Sequence, residues 1–515
     1  MTIESNLFPI IPPMRRLIDY PTVTIAPLQA VLGNTWAFLT VLIVALAGYW
    51  LAFHAQTLEY YWNNDDLHLI RVYSSKELGQ VFHGSWDVDH IETLGFRPFT
   101  TLFNHARYLL AGEIPMTHRL LLLVMMSVLL WIVGYLALQI GLGRGVVALA
   151  LVIVVSTKVA SGDIIWIADG VHILENLLMA SSLLAVYFFV RWRSLLWCVV
   201  SLLLGEAAFL TRESTLVLLL MGPMFLVVFS RSRSTFGQHP VLSKPDLAYI
   251  AALYGLAGLT LVGGRSVVAN ATTVQSFESL FGLFNHVLWS LWPVGWFVEN
   301  KANTEGLVGC GGACFALPFI WGILLVALLI LWLSCPVSRT ASRQVGGALL
   351  CVTFGSTPGL VIQRANLVFL PTLFFSFVIA IASIELWRVA AVEMHARRSL
   401  KIALHTFVVV LCLVAVGGSL QRSVIQSLDM HPYSLYQIER DYEMIYGHYA
   451  SRATIPANRR SYLVEKLERL GVNGPVSSIE QTLLRVHNEA NQANSGEQQG
   501  DALKIFVPRI GQFYP

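Results

Sequence analysis

Stretches of about 20 apolar residues recur along this chain and constrain its fold more than any other feature. A helix that crosses the hydrocarbon core of a bilayer needs about 20 such residues, with a working range of about 17 to 25. Stretches near this length lie at about eleven places, namely 36–53, 118–140, 145–161, 171–190, 194–210, 214–230, 246–264, 316–335, 345–361, 366–387 and 401–419. The sequence therefore predicts an all-α polytopic membrane protein.

The composition excludes a water-soluble globular protein. Of the 515 residues, 55% are hydrophobic and 13% are charged, whereas soluble domains average about 25% charged residues. Because so few ionisable groups cannot cover the surface of a soluble fold, membrane lipids are the expected surroundings. The net charge is only +3 and Lys and Arg form no dense run, which argues against nucleic acid as a partner.

Lys and Arg in the short loops predict the orientation of the chain, because they are enriched in cytoplasmic loops. One side carries most of them, namely Arg15, Arg16, Arg144, Arg191, Arg193, Arg231, Arg233, Lys244, Arg339, Arg343, Arg388, Arg397, Arg398 and Lys401. The short loops opposite carry only Arg212 and Arg364. We therefore predict a plasma (inner) membrane protein with a cytoplasmic N-terminal segment 1–35, a transmembrane domain 36–419 and an extracytoplasmic segment 420–515.

Three segments on the predicted outer side are too long for plain connections. The first loop, 54–117, mixes polar and aromatic residues. The loop 265–315 contains 276–298, which is apolar enough to span, but a span there would reverse the orientation of every later loop. We therefore interpret it as a re-entrant or interfacial helix. The segment 420–515 is predicted to form a small helical domain.

Two adjacent carboxylates open the first outer loop, in the sequence YYWNNDDLHLIRVY. Asp65 and Asp66 cannot share one face of a regular element, so we expect them to act differently. One would serve as a general base for an acceptor hydroxyl, and the other would position that hydroxyl or hold a divalent cation such as Mg²⁺ or Mn²⁺. Dependence on a metal stays open. The alternative is a solvated turn and helix cap without a catalytic role.

Arginines at the predicted outer surface are candidate phosphate ligands. Arg97 precedes Pro98, whose ring favours an extended backbone at Arg97, so the guanidinium can point away from the following helix and bind an anion. The alternative is an interfacial arginine that reaches lipid headgroups. Arg212 and Arg364 stand in otherwise uncharged outer loops, where a phosphate at the membrane surface would lie.

The order of these motifs resembles that of the GT-C superfamily of membrane glycosyltransferases. The resemblance begins with DDLH after the first span, FRP, and a helix ending in G-x-x-P before His118. It continues through WIADGVHILENLL, FLTRESTLVLLLMGPMF and QRANLVFLPTLFFSFVIA, and covers roughly 37–390. Protein O-mannosyltransferases, aminoarabinose transferases and TPR-bearing O-mannosyltransferases belong to this superfamily.

The resemblance implies a GT-C-type bundle and an inverting transfer of sugar from a polyprenyl-phosphate donor. The acceptor would be a glycan, a lipid or a protein on the extracytoplasmic side. Asp65 would be the catalytic base and Asp66 its catalytic partner. The residues that would bind substrate are His68, Arg97, Arg212, Glu213 and Arg364. The chain departs from the family's pattern at Gly170 and Val171, where an arginine often stands, and at Gln363, which replaces a glutamate.

Two other functions stay open. A transporter or flippase of lipid-linked saccharides would concentrate polar residues near the bilayer midplane, on broken helices and in paired repeats. This chain has no internal repeat and places its polar motifs in outer loops. A GT-C-like assembly subunit without activity is the second alternative, and the intact pair of Asp65 and Asp66 argues against it.

Overall fold

The structure is a computed structural model in which helices form all the regular elements of the described residues. It describes residues 34–63, 65–91, 95–231, 242–267, 324–333, 345–347, 349, 369–393, 398–432, 435–447 and 449–470. The predictions made for Arg364, for 276–298 and for most of 1–35 lie outside these ranges.

The helices are short near the first outer loop and long in the apolar segments. In chain order, α1 to α15 are Thr35–His54, Asp66–Leu69, Ser75–Gln80, Pro98–Ala111, Pro115–Gln139, Arg144–Ser156, Lys158–Ile165, Gly170–Trp192, Leu195–Phe209, Leu218–Arg231, Lys244–Val267, Phe369–Glu393, Arg398–Asp429, Leu435–Ile445 and Ala457–Arg469. Three 3-10 helices lie at Ala55–Glu59, Ile167–Asp169 and Glu213–Val217. A further apolar helix covers Leu324–Leu333.

Five helices among the described residues are long and apolar enough to cross a membrane. They are Thr35–Glu59, Pro115–Gln139, Ile167–Trp192, Lys244–Gly264 and Pro371–Ala391. The faces of these helices that point away from the bundle carry exposed apolar side chains, such as Val44 at 66% and Val262 at 72% exposed. Lipid is a more favourable environment than water for such faces. This supports the prediction of a helical membrane protein.

The predicted span 145–161 is broken in the structure. Helix α6 and the helix Val159–Ile165 meet at a bend of 54°. Thr157 lies at the break with an extended backbone, and its side chain accepts a hydrogen bond from the Ala160 N–H at 3.4 Å. A Thr hydroxyl that caps the next helix competes with continuation of the previous one. The two helices together count as a sixth candidate crossing.

Two further predicted spans form helices shorter than expected. Helix α9 has 15 residues and, at about 1.5 Å per residue, is shorter than the roughly 30 Å hydrocarbon core. It ends where Arg212 adopts an extended backbone. The predicted span 214–230 begins as the 3-10 helix Glu213–Val217 and becomes α-helical only from Leu218.

Helix α8 organises the bundle and presents its N-terminus to the candidate site. It packs against α5, α9 and α10, while α12 packs against α6. At the first residue of α8, a Cβ on Gly170 would lie 2.4 Å from Leu122 and 2.7 Å from Arg107. Close packing therefore requires glycine at this position.

The orientation inferred from the loop arginines can be tested by labelling. In a background lacking the natural cysteines, we expect single cysteines at positions 144, 339 and 397 to react only from the cytoplasmic side. A single cysteine restored at position 310, or introduced at the exposed position 83 of the first loop, should react only from outside. Labelling of Cys310 from the cytoplasm would instead show that 276–298 crosses the membrane.

Candidate functional site

Asp66 is fully buried in the loop that follows α1. Its Oδ1 accepts a hydrogen bond from the backbone N–H of Ala168 at 2.5 Å, and its Oδ2 accepts one from the N–H of Asn63 at 3.1 Å. This carboxylate therefore ties the first outer loop to the segment that precedes α8. Asp66 therefore does not lie in a solvated turn, which was the alternative interpretation of this pair.

Asp65 has a different environment from its neighbour. It stands at the start of α2 with helical backbone angles (φ −65°, ψ −21°), and its carbonyl accepts the N–H of Leu69 at 2.9 Å. Its carboxylate makes no capping hydrogen bond to α2, and the residue is half-buried. Asp65 is therefore more exposed than Asp66, whose carboxylate accepts two backbone N–H groups.

Two buried arginines stand near Asp66. Arg107 on α4 donates to the carbonyl of Ile167 at 2.8 Å. Arg119 on α5 donates to the carbonyls of Ile165 at 2.9 Å and Tyr61 at 2.9 Å, and also to Tyr60. Both arginines interact electrostatically with Asp66. They connect the start of the first outer loop to the segment before α8.

Burial shifts the pKa values of the charged side chains in this cluster. It raises the pKa of Asp66 to about 6, against the opposing effects of Arg119 and of the two N–H donors. At neutral pH the carboxylate is therefore mostly ionised. Burial also lowers the pKa of Arg107 to about 10, which leaves its guanidinium charged. Two cations thus surround one anion at neutral pH.

A chain of polar side chains on α8 orients Arg212. The Nη1 of Arg212 lies 2.8 Å from Nε2 of His172, and Nδ1 of His172 lies 3.2 Å from Oε1 of Glu175. The hydroxyl of Ser214 donates to Oε2 of Glu175 at 2.9 Å. In this arrangement Nδ1–H of a neutral imidazole donates to Glu175, and Nε2 accepts from the arginine. The guanidinium is thus held in place without a ligand.

Arg97 directly precedes α4, and its backbone angles (φ −138°, ψ 56°) differ from the extended conformation expected before Pro98. The N–H of Phe99 donates to the carbonyl of Leu210 at 3.2 Å, and the hydroxyl of Thr100 donates to the carbonyl of Thr211 at 2.8 Å. The start of α4 is therefore docked on the loop that carries Arg212, and Arg97 interacts electrostatically with His172. Arg97 and Arg212, which are far apart in the sequence, therefore both act electrostatically on His172.

Asp163 connects the two halves of the site. Its side chain is 1% exposed, and it interacts electrostatically with Asp169, Glu175 and Arg212. Asp169 directly follows Ala168, the residue that binds Asp66. Asp66 and Arg212 are therefore both connected to residues 163–175, which comprise the segment before α8 and its first turns.

The other predicted site residues are less clearly placed. His68 is fully buried on α2, and its carbonyl accepts a hydrogen bond from Nε of Arg71 at 3.1 Å. The backbone of Glu213 begins a 3-10 helix, but its side chain and Arg364 lie outside what the structure describes.

The sequence analysis missed Arg107 and Arg119 and gave no role to His172. A signal was available for Arg119, which lies in the apolar stretch MTHRLLLL. Placing a charged side chain in such a stretch costs free energy, so its presence indicates a functional role. His172 could have been found from its spacing to Glu175, since residues three apart meet on one helix face.

The described residues contain no group of three or more His, Cys, Asp or Glu side chains that could hold a metal ion. A cation beside Asp65 and Asp66 would need ligands from substrate, solvent or other parts of the chain. The role of Mg²⁺ or Mn²⁺ stays a hypothesis.

Comparison of the chain with protein-family models, with curated proteins and with solved structures found no match.

Proposed function

We propose that the chain is an inverting membrane glycosyltransferase of the GT-C type, with about eleven spans and its site on the extracytoplasmic side. One observation carries the proposal: Arg97 and Arg212 both act on His172 in the first turn of α8, and the turn of Asp65 and Asp66 is bonded to Ala168, two residues before the same helix. A base and anion-binding groups at the membrane surface suit transfer from a lipid phosphate.

The proposed reaction needs one base and one stabilised leaving group. The Asp65 carboxylate takes the proton of an acceptor hydroxyl as the oxygen attacks the anomeric carbon. The bond between that carbon and the phosphate oxygen breaks on the opposite face, so the anomeric configuration inverts. Asp66 holds the turn that carries Asp65 through its bonds to Asn63 and Ala168.

The leaving polyprenyl phosphate gains charge as the bond breaks, and cations aimed at that charge lower the barrier. Arg212 suits this role because His172 and Glu175 orient it in advance, so little order is lost when the phosphate develops charge. Arg97 and, outside the described residues, Arg364 are the other proposed ligands.

An apolar cleft between α5, α8, α10 and α12 supports a lipid substrate. The residues that line it include Leu136, Met179, Phe225, Phe374 and Phe377. Ligand sites commonly have mostly apolar walls. The hydrocarbon of a donor lipid or of a membrane lipid would fit such walls.

The test of the function is sugar transfer by the purified chain in liposomes. Undecaprenyl-phosphate-linked radiolabelled hexoses would serve as donors, and delipidated envelope material as acceptor. The proposal predicts label in acceptor and equimolar free undecaprenyl phosphate. Absence of both products from every donor tested, with monodisperse protein, would contradict it.

A transporter of lipid-linked saccharides is the second candidate, because the span broken at Thr157 is a feature of transporters. The same liposomes distinguish the two functions. A transporter would move the donor between leaflets without releasing undecaprenyl phosphate, whereas a transferase would release it.

Removal of Arg212 should weaken use of the donor. A charge-assisted hydrogen bond contributes about 1.5–3 kcal/mol, so for Arg212→Ala we expect kcat/KM for the donor to fall about 10- to 150-fold. The exposed Arg191, at the other end of α8, provides the control, and Arg191→Ala should behave as the unmodified chain. Unchanged donor dependence in Arg212→Ala would move the phosphate site elsewhere.

A further inference from the structure

Helix α15, in the segment predicted to be a small outer domain, contacts the turn that carries the acidic pair. Arg459 is fully buried. Its Nη1 donates to the carbonyl of Asp66 at 3.0 Å and to that of Leu67 at 3.1 Å, and its Nε donates to Oε2 of Glu113 at 2.8 Å. The guanidinium also stacks over the ring of Trp62 at 3.8 Å.

Two further contacts fasten the same segment to the first outer loop. The rings of Tyr61 and Tyr462 are stacked with centroids 3.8 Å apart. The N–H and hydroxyl of Thr454 donate to the two carboxylate oxygens of Asp89, at 3.0 and 2.8 Å. Asp89 also pairs with Arg71 at 3.2 Å. The contact therefore extends along the loop on both sides of the acidic pair.

Asp66 is consequently held from two directions. Its carboxylate binds N–H groups of Asn63 and Ala168, and its carbonyl binds Arg459. Because Asp65 is its immediate neighbour, these bonds restrict the backbone that carries the half-buried carboxylate. A Lys side chain cannot reproduce this arrangement, since only the planar guanidinium offers donors in a fixed fork together with a flat face for Trp62.

We infer that Arg459 is a positioning residue that fixes the turn of Asp65 and Asp66, so that residues 449–470 form part of the site. The catalytic part of this inference rests on the proposed function, whereas the contact itself does not. If residues 449–470 belonged to a separate accessory domain, we would not expect Arg459 to be buried against the backbone of this turn.

The kinetic test compares R459K with R469K. Arg469 lies on the same helix with its side chain 72% exposed, so R469K should match the unmodified chain. R459K should lower kcat about 10–100-fold, because a small displacement of a reacting group is costly, while KM for the undecaprenyl-phosphate hexose stays unchanged. Glu113→Gln removes the negative charge that pairs with Arg459 and keeps an oxygen that can accept the hydroxyl of Tyr108. It should lower kcat less and serves as the second variant if R459K does not assemble.

A cross-link tests the contact without any transfer assay. In a background lacking the natural cysteines, Asp89→Cys with Thr454→Cys should form a disulfide on mild oxidation, detected after cleavage of the chain between the two positions. Failure to cross-link, or a normal kcat in both R459K and Glu113→Gln, would overturn the inference. If the unmodified chain transfers no sugar, the proposed function and the catalytic role both fail, and the cross-link alone decides the contact.

Discussion

Asp65→Asn is expected to lower sugar transfer about 10²–10⁴-fold, the usual effect of losing a positioned base. The substitution keeps the size of the side chain and removes its ability to accept a proton. Asn is close to Asp in size and as effective a helix cap, so we expect the fold to be retained. The measurement is the initial rate of transfer in liposomes, with each variant matched for expression and monodispersity.

Asp66→Asn distinguishes the structural role of Asp66 from the proposed catalytic role of Asp65. Asp66 accepts two backbone N–H groups, and the amide of Asn offers only one acceptor atom. We expect this variant to lose stability as well as activity, whereas Asp65→Asn should lose activity alone. Normal transfer by Asp65→Asn would remove this residue as the base, and normal transfer by the double variant would exclude the mechanism.

Arg119→Met is expected to destabilise the protein by about 3–5 kcal/mol, because it leaves the buried carboxylate of Asp66 with only the weaker electrostatic effect of Arg107. It also removes the donors to the carbonyls of Tyr61 and Ile165. The measurement is the temperature at which half of the protein leaves the monodisperse peak in detergent. The matched control is Arg191→Met, on the exposed end of α8.

A double-mutant cycle identifies the cause of that loss. If the loss of the cation beside Asp66 is the main cause, the double variant Arg119→Met with Asp66→Asn should lose less stability than the two single variants lose in sum. Strict additivity would show that the two residues are not coupled, and that Arg119 stabilises the protein through the carbonyls alone.

The sequence was sufficient to predict a helical membrane protein, because length and hydrophobicity identify a spanning helix locally. It did not predict the break at Thr157 or the short α9. The stretch VIVVSTKVASGDII becomes more polar after Val155, but composition alone does not show whether a helix continues, bends or ends there. The capping hydroxyl of Thr157 accompanies the change in chain direction.

The candidate site was only partly predictable for a different reason. Two adjacent carboxylates and an arginine before a proline are local patterns, and the sequence displays them. The roles of Arg107 and Arg459 depend on carbonyl groups far away in the chain, at Ile167 and Asp66. No local pattern marks such a contact, and α15 resembles any amphipathic helix.

The distance along the chain between Arg459 and Asp66 has a consequence for biogenesis. The two residues are 393 positions apart, and a ribosome adds about 5–20 residues per second. About 20–80 s therefore separate the emergence of the acidic turn from that of the helix that completes its hydrogen bonds. During that interval the nascent chain carries an incompletely held turn, so the site is finished only after its last segment has been delivered to the same side of the membrane.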